Sequence, residues 1–246
     1  MMTHTVSRRS LLALPLLAAL PGAHAMAPGK PAVTVELFTS QGCSSCPPAD
    51  ALLNELSRMP GVVALAYHVD YWDYLGWKDT LGSAANSQRQ YDYAKFRGDM
   101  DVYTPQVVVN GGRHVVGSDR RAVLDAIAQA QGKPAPVPLT MSQSGMEIVI
   151  GIGAGPPVKE ATLWVMGLLP EQSVKVIRGE NAGREIAYYR SARNAIPAGM
   201  WSGAAATIKL PKDGVLAGGC RSCVALLQQG KVGPVLGVAQ WGDGDA

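Results

Sequence analysis

The sequence predicts an α/β domain over residues 33–131 and a mostly antiparallel, sandwich-like β domain over residues 139–246. Strand-like apolar runs alternate with helix-like apolar stripes in the first part, which predicts the α/β class. A series of short β-like runs, separated by glycine, proline and asparagine, predicts the second. The proline-rich run 132–138 between them is the predicted linker.

Residues 1–25 have the organisation of a secretory signal peptide. Arg8 and Arg9 precede an apolar run over residues 11–20, and residues 23–25 have the small-residue pattern of a cleavage site. The apolar run is too short to cross a bilayer, so no integral membrane segment is expected once the signal is removed. A general secretory route and a twin-arginine route both fit, and either one predicts a periplasmic or secreted protein.

The charge of the chain limits its partners. The formal net charge is +3. Arg8 and Arg9 are lost with the predicted signal, so the mature charge falls near zero. A near-neutral chain is not expected to bind nucleic acid. No cofactor is predicted.

The α/β domain begins with a strand, a cysteine pair and a helix. Residues 33–38 alternate apolar and polar, and Cys43 and Cys46 follow. The next residues place two prolines where a helix accepts them, before an apolar stripe. The nearly continuous apolar run 62–70 is typical of a parallel strand buried on both faces. This order predicts a βαβ unit.

The domain then continues with an insertion, a hairpin and a last helix. The insertion, at about 71–101, is aromatic and polar, and it is predicted to be helical over 79–97. The pair Asn110-Gly111 between two β-rich runs predicts a hairpin. Ser118 is the predicted N-cap of the last helix.

The position of Cys43 and Cys46 between a strand and a helix predicts a redox-active pair. Backbone N–H groups and the dipole at a helix N-terminus stabilise a thiolate and lower its pKa. Cys43 is therefore expected to be the outer nucleophile, and Cys46 the residue that resolves a mixed disulfide. A static disulfide and a soft-metal site remain open as alternatives.

Two sets of residues carry a resemblance to known families. The order of elements, the cysteine pair at the first helix and Thr104-Pro105 before the hairpin resemble the thioredoxin fold. This resemblance implies that Pro105 is cis beside the disulfide and that Thr104 binds an extended substrate. The stretches ELFTSQGCSSCPPAD and YHVDYWDYLGWKD resemble more closely a family of secreted, thioredoxin-like bacterial proteins, domain of unknown function 1223. That resemblance implies a thioredoxin-like α/β domain with a helical insertion, and a redox site without an established reaction.

Three polar residues are candidates for acid–base chemistry near the cysteines. His68 and Asp70 end the second predicted strand, at the edge where ligands gather in open α/β sheets, and alternation directs both to one side. Glu36 lies on the neighbouring strand and is a candidate to accept a proton from Cys46. A strand-end hydrogen bond or a salt bridge would explain each residue equally well.

Aromatic residues and a second cysteine pair complete the candidate site. Trp72 and Trp77 are expected either to bind an extended polypeptide or to pack within the insertion. Cys220 and Cys223 form a second Cys-x-x-Cys, after two glycines. A local structural disulfide, a relay with the first pair and a four-cysteine metal site all fit this spacing.

The sequence therefore predicts thiol–disulfide exchange through Cys43 and Cys46, with protein thiols and disulfides or a small thiol as partners. The first alternative is a copper-binding protein that holds the soft metal with Cys43, Cys46 and His68. The second is a non-catalytic protein that binds a partner through the β-rich domain.

Overall fold

The computed structural model describes residues 32–133 and 135–242. The predicted signal peptide, residues 1–25, lies outside the described residues. Among the helices that are described, none is long and apolar enough to cross a membrane.

The first sheet has four strands in the order β2-β1-β3-β4. They are Val33–Thr39 (β1), Val62–His68 (β2), Gln106–Val109 (β3) and Arg113–Val116 (β4). β1 and β2 are parallel, whereas β3 is antiparallel to both β1 and β4. All residues of β1, β2 and β3 are buried, so both faces of the sheet are covered.

Helices pack on both faces of this sheet, two of them on one face and one on the other. The three long helices are Pro47–Leu56 (α1), Ala84–Arg97 (α2) and Arg120–Gln131 (α3). α1 and α3 pack their apolar stripes, which include Leu53 and Ile127, against Val35 and Leu37 of β1. Fully burying each such side chain contributes about 1.5–3 kcal/mol. The predicted N-cap of α3 is wrong by one position, because the Asp119 side chain accepts the hydrogen bond from the backbone N–H of Ala122.

Nine further strands form three antiparallel sheets within the described residues. The sheet orders are β10-β7-β12-β13, β11-β6-β5 and the hairpin β8-β9. A short helix, α4, precedes β12. The bounds are Leu139–Ser144 (β5), Glu147–Ile152 (β6), Ala161–Leu168 (β7), Gln172–Lys175 (β8), Glu185–Tyr188 (β9), Ala192–Trp201 (β10), Ala206–Pro211 (β11), Lys212–Val215 (α4), Ser222–Gln229 (β12) and Val235–Trp241 (β13).

The sheet that contains β7 and β12 is covered by other sheets on both faces. One face packs on the sheet of β5, β6 and β11, through residues such as Leu163 and Ile150. The other face packs on the first sheet, through residues such as Val224 and Tyr67. The Tyr67 hydroxyl also donates a hydrogen bond to Met166 Sδ across this boundary, at 3.0 Å. The two halves of the chain thus share a buried apolar layer.

The predicted fold class, a thioredoxin-like α/β domain with a helical insertion followed by a sandwich-like domain, is wrong. The described chain has 13 strands in four sheets, and the parallel pairing within these sheets is that of β1 with β2. The apolar run at 62–70 was correctly expected to be buried on both faces. A buried face does not reveal what covers it, and here strands β7 and β12 cover the second face.

Candidate functional site

Cys43 and Cys46 form a disulfide at the junction between β1 and α1. Their Cα atoms are 5.4 Å apart, because the chain turns between them. The Cys46 N–H donates to the Cys43 carbonyl at 3.2 Å, and Cys46 is the N-cap of α1. Pro47 and Pro48 occupy the first helical positions. The structure therefore joins the predicted cysteine pair and places it at a helix N-terminus.

Both cysteines are buried, which was expected for Cys46 but not for Cys43. The residues are 1% and 0% exposed, respectively, whereas Ser44 and Ser45 between them are exposed. The Ser45 hydroxyl lies 3.4 Å from Cys43 Sγ. Cys43 is therefore not freely open to a partner thiol in this conformation.

The disulfide loop is fastened to a turn from the second half of the chain. Asn181 is fully buried, and its Nδ2 donates to the carbonyls of Gln41 and Cys43 at 3.0 and 2.9 Å. The Glu180 carboxylate accepts a hydrogen bond from the Ser44 N–H at 2.9 Å. Sequence reasoning missed these residues, because the stretch that contains them has only the composition of an ordinary turn.

The Thr104–Pro105 peptide bond is cis, and Pro105 lies beside the start of α1. A Cβ added at Gly117 would approach Ala49 and Pro105 to 3.2 Å. The three residues therefore converge, and the absence of a side chain at Gly117 makes the contact possible. The Gly117 N–H also donates to the Pro105 carbonyl at 2.8 Å.

The two predicted aromatic residues brace the disulfide loop. Trp72 Nε1 donates to Thr104 Oγ1 at 2.8 Å, and Trp77 Nε1 donates to Gln41 Oε1 at 2.9 Å. A Cβ on Gly42 would come to 3.0 Å from Trp72 Cβ, so glycine allows the tryptophan to lie close. Tyr74 stacks on Trp72 and is 77% exposed. The structure brings Trp72, Trp77 and Thr104 together around the loop.

Glu36 is buried but engaged elsewhere. Its carboxylate accepts hydrogen bonds from Arg89 Nε and Nη2, at 2.9 and 2.6 Å, and from the Tyr93 hydroxyl. Arg89 Nη2 also donates to Gln228 Oε1 at 2.7 Å. This network links β1 to α2 and β12. Because strand side chains alternate, Glu36 points away from the face on which α1 and Cys46 lie.

His68 and Asp70 are not brought together. The His68 ring is buried, with Nδ1 3.0 Å from Asp79 Oδ2 and Nε2 3.4 Å from Ser191 Oγ. Asp70 accepts a 2.5 Å hydrogen bond from the Ser87 hydroxyl, at the start of α2. Burial opposes ionisation of Asp79, yet His68 and two backbone N–H groups lower its pKa overall. His68 and Asp79 therefore form the polar pair beneath the sheet edge.

Asp50 is a further site residue that sequence reasoning missed. It lies in the first turn of α1, four residues after Cys46, and is buried. Burial raises its pKa to about 7, against the opposing effects of His68 and the Thr39 hydroxyl. The signal was available, because Asp50 belongs to the apolar stripe of α1, three residues before Leu53, where a carboxylate is unusual.

Unpartnered polar atoms surround this carboxyl group. Asp50 Oδ2, Thr39 Oγ1 and the Tyr188 hydroxyl are buried without a hydrogen bond of normal geometry, although the Thr39 hydroxyl lies near enough to Asp50 to affect its pKa. The Tyr188 ring packs edge-on against His68, with ring centroids 4.8 Å apart. Burial and the nearby carboxylates of Asp50 and Asp79 raise the Tyr188 pKa, so its hydroxyl stays neutral. These atoms form a buried polar cluster, in which Asp50 is the group that titrates near neutral pH, next to the helix that carries Cys46.

Cys220 and Cys223 are both buried free thiols, so the local disulfide is not formed. Cys223 pairs with Gly167 across β12 and β7, and a Cβ at Gly167 would lie 2.7 Å from Cys220 Sγ. Burial raises the pKa of both thiols, that of Cys223 to about 12. Within the described residues, the four cysteines do not form a group of close metal ligands.

The described residues contain one group of three side chains arranged to hold a metal ion, and it is not the predicted one. Asp99, Asp101 and His114 bring their ligand atoms within 4.8 Å of one another. Asp99 already accepts two hydrogen bonds from Arg97. His68, part of the expected soft-metal set, has both ring nitrogens near hydrogen-bonding partners.

Comparisons with known proteins give a family and a fold. The family described as "Protein of unknown function (DUF1223)" matches residues 34–228. Protein AGR_C_4864 from Agrobacterium tumefaciens, whose crystal structure is known, has 37% sequence identity to this chain. The two structures match with a TM-score of 0.76, over 87% of this chain and 95% of that chain. HBP35 of Porphyromonas gingivalis, at 15% identity, shares the fold with a TM-score of 0.59 over 87% of this chain and 76% of that one. No curated protein matches.

Proposed function

Since the chain belongs to the DUF1223 family of proteins of unknown function, which carries no assigned reaction, we propose from the site that it catalyses thiol–disulfide exchange through Cys43 and Cys46. The observation that supports this proposal most is the position of Asp50. It is a buried carboxyl group, one helical turn from Cys46, with a pKa of about 7. A purely structural disulfide needs no group that donates or accepts a proton beside it.

The exchange runs in two balanced steps. A substrate thiolate attacks Cys43 Sγ, forming a mixed disulfide, and the Cys43–Cys46 bond breaks with its electron pair on Cys46. The second substrate thiolate then attacks the substrate sulfur of the mixed disulfide, and Cys43 leaves as a thiolate. The substrate loses two electrons, and the protein gains them as two thiols once protons are added. The reverse sequence reduces a substrate disulfide.

Asp50 supplies the proton that Cys46 needs. Residues four apart on a helix are neighbours on its surface, so the Asp50 carboxyl lies on the side of α1 next to Cys46. A group with a pKa of about 7 is present in both forms near neutral pH, and it therefore gives or takes a proton with little cost. In the oxidising direction it protonates the leaving Cys46 thiolate. In the reducing direction it removes the proton from Cys46.

The start of α1 affects the stability of a cysteine thiolate in two opposite ways. The helix dipole favours a thiolate at its N-terminus. Pro47 and Pro48, however, offer no N–H groups at the first helical positions. We therefore assign the pair a moderate oxidising strength. An oxidising compartment, periplasmic or extracellular, suits such a disulfide, with protein thiols or a small thiol as its partner.

Equilibration with glutathione redox buffers tests the proposal. The reduced fraction of Cys43/Cys46, read by alkylation and intact mass, is expected to follow one two-electron transition with a potential between about −270 and −120 mV. Turnover of a dithiol substrate should stop in Cys43→Ser and continue in the matched double variant Cys220→Ser/Cys223→Ser. A native disulfide that no glutathione ratio reduces would refute the proposal.

A further inference from the structure

The turn at residues 179–183, between β8 and β9, lies over the disulfide loop. We propose that this turn is a built-in cover, fastened by Asn181 and Glu180, which must be displaced before Cys43 reacts and so determines which disulfides the site accepts. The inference rests on the proposed function, because it concerns access to the same sulfur. It adds two residues that act on specificity without taking part in the bond exchange.

Three hydrogen bonds fasten the cover to the disulfide loop. Asn181 Nδ2 holds the carbonyls of Gln41 and Cys43, and Glu180 holds the N–H of Ser44. Asn181 is itself oriented by Arg184, whose Nη1 donates to Asn181 Oδ1 at 3.1 Å. All three backbone groups belong to the four residues around Cys43. The contacts therefore fix the segment that carries the reactive sulfur.

The burial of Cys43 fits this arrangement. Although Ser44 and Ser45 are exposed, Cys43 is only 1% exposed. A partner sulfur has to approach the disulfide in line with the bond that breaks, so a closed cover blocks the reaction. A small thiol cannot replace the three hydrogen bonds, so it would react only after the cover has opened spontaneously. A partner that offers its own donors and acceptor to these groups would open it.

The turn is bounded by two glycines. Gly179 and Gly183 flank it with φ angles of 77° and 85°, in the left-handed region that glycine adopts without cost. Its two strands, β8 and β9, form a sheet of their own rather than extending a larger one. Val174, Ile186 and Tyr188 pack the two strands into an apolar cluster, so the movement is confined to the turn. Opening at the glycines would therefore leave the three larger sheets unchanged.

Glu180 also affects the charge next to Cys43. Its carboxylate accepts a hydrogen bond from the Ser44 N–H, and the Ser44 side chain and this N–H together lower the Glu180 pKa, which keeps the group ionised. A thiolate on Cys43 would then face a negative charge and lack one backbone donor. Both effects disfavour the thiolate. The closed cover thus shields the sulfur and also reduces its reactivity.

Alkylation of Cys43 by iodoacetamide tests the cover without requiring any disulfide exchange. The measurement uses the full-length chain with Cys46→Ser and Cys220→Ser/Cys223→Ser, so that Cys43 is the one thiol. Adding Asn181→Ala is expected to raise the alkylation rate by about fivefold or more, as the loss of its hydrogen bonds predicts. Glu180→Gln should raise the rate at neutral pH, whereas Glu185→Gln, on the same hairpin but bonded to Ser173, should not.

A second readout keeps the test valid if Asn181→Ala is unstable. Hydrogen exchange of the Ser44 amide should become faster in Glu180→Ala and stay unchanged in Glu185→Gln. Alkylation and amide exchange at wild-type rates in every folded variant would overturn the cover. Should these rates increase while the Cys43/Cys46 pair exchanges with no thiol, the cover stands and the proposed function fails.

Discussion

The Asp50 carboxyl group lies one turn of α1 beyond Cys46, buried, with one oxygen that has no hydrogen-bond partner. Burial outweighs the opposing effects of His68, which is paired with Asp79, and of the Thr39 hydroxyl, so the Asp50 pKa is raised. The burial of this carboxyl group is therefore a cost to folding that the disulfide chemistry would explain.

Asp50→Asn is expected to slow thiol–disulfide exchange, since the variant cannot transfer a proton to or from Cys46. General acid–base groups of this kind commonly contribute about 100-fold or more. The pH dependence of the rate near pH 7 should also disappear, because that titration belongs to Asp50. Stopped-flow measurement of the rate between pH 5 and 9 checks this. A variant that keeps the wild-type rate and profile would remove Asp50 from the mechanism.

The same substitution is expected to stabilise the fold at high pH. The Asp50 pKa is raised from 3.8 to about 7 on folding, so the favourable folded state is the protonated one. The contribution of Asp50 to the free energy of unfolding is complete at pH values below its unfolded pKa. This contribution is lost as the pH rises through its folded pKa. Asp50→Asn should therefore gain up to about 4 kcal/mol at pH 8 and little at pH 4.

Urea unfolding at the two pH values measures this gain, and Glu55→Gln is the matched control. Glu55 lies on the same helix but is exposed and pairs with Arg120 at the surface. Its removal should change the free energy of unfolding by less than about 1 kcal/mol at either pH. Equal stability of Asp50→Asn and the wild type at pH 8 would contradict the raised pKa.

Glu36→Gln is expected to damage stability and leave the redox chemistry intact. The change leaves the Arg89 guanidinium buried without its counter-charge, which typically costs about 3–5 kcal/mol. Urea unfolding measures the loss, and the reduction potential of Cys43/Cys46 in the folded fraction serves as the second readout. If the reduction potential of Cys43/Cys46 shifted while the free energy of unfolding stayed the same, Glu36 would have the acid–base role that the sequence had suggested.

Gly117→Ala is expected to disturb the contact between α1 and the cis-proline loop. The new Cβ would lie 3.0 Å from Leu37 and 3.2 Å from both Ala49 and Pro105. Such overpacking typically costs about 1–3 kcal/mol. Gly112→Ala is the matched control, because its nearest atom is 4.0 Å away. Thermal unfolding of both variants, with the disulfide intact, distinguishes them, and equal melting temperatures would contradict the close approach.

The local features of the site were readable from the sequence, whereas its long-range contacts were not. The strand predicted at 33–38 is Val33–Thr39, and the Asn110-Gly111 pair does form a turn, with φ angles of 47° and 68°. Such features depend on residues close in the chain. The hydrogen bonds from Asn181 cross 138 and 140 residues, and no periodicity encodes them.

The error in the fold class has the same origin. A strand buried on both faces reads as a continuous apolar run, whether helices or a second sheet cover it. Tyr67 and Val224 meet across two sheets only because β7 and β12 return to the first sheet. The place of Asp50 in the apolar stripe of α1 did indicate burial, but the charged neighbours that also affect its pKa, His68 and Asp79, lie elsewhere in the chain.

Cys220 and Cys223 are expected to remain thiols that resist labelling in the folded protein. Burial and their mutual proximity raise the Cys223 pKa to about 12, so almost no thiolate exists at neutral pH. N-ethylmaleimide should therefore add slowly under native conditions. In guanidinium chloride without reductant it should add to two thiols, because the other two cysteines are joined. Intact mass gives the count, and a mass without any label after denaturation would mean that Cys220 and Cys223 form the disulfide that the sequence had suggested.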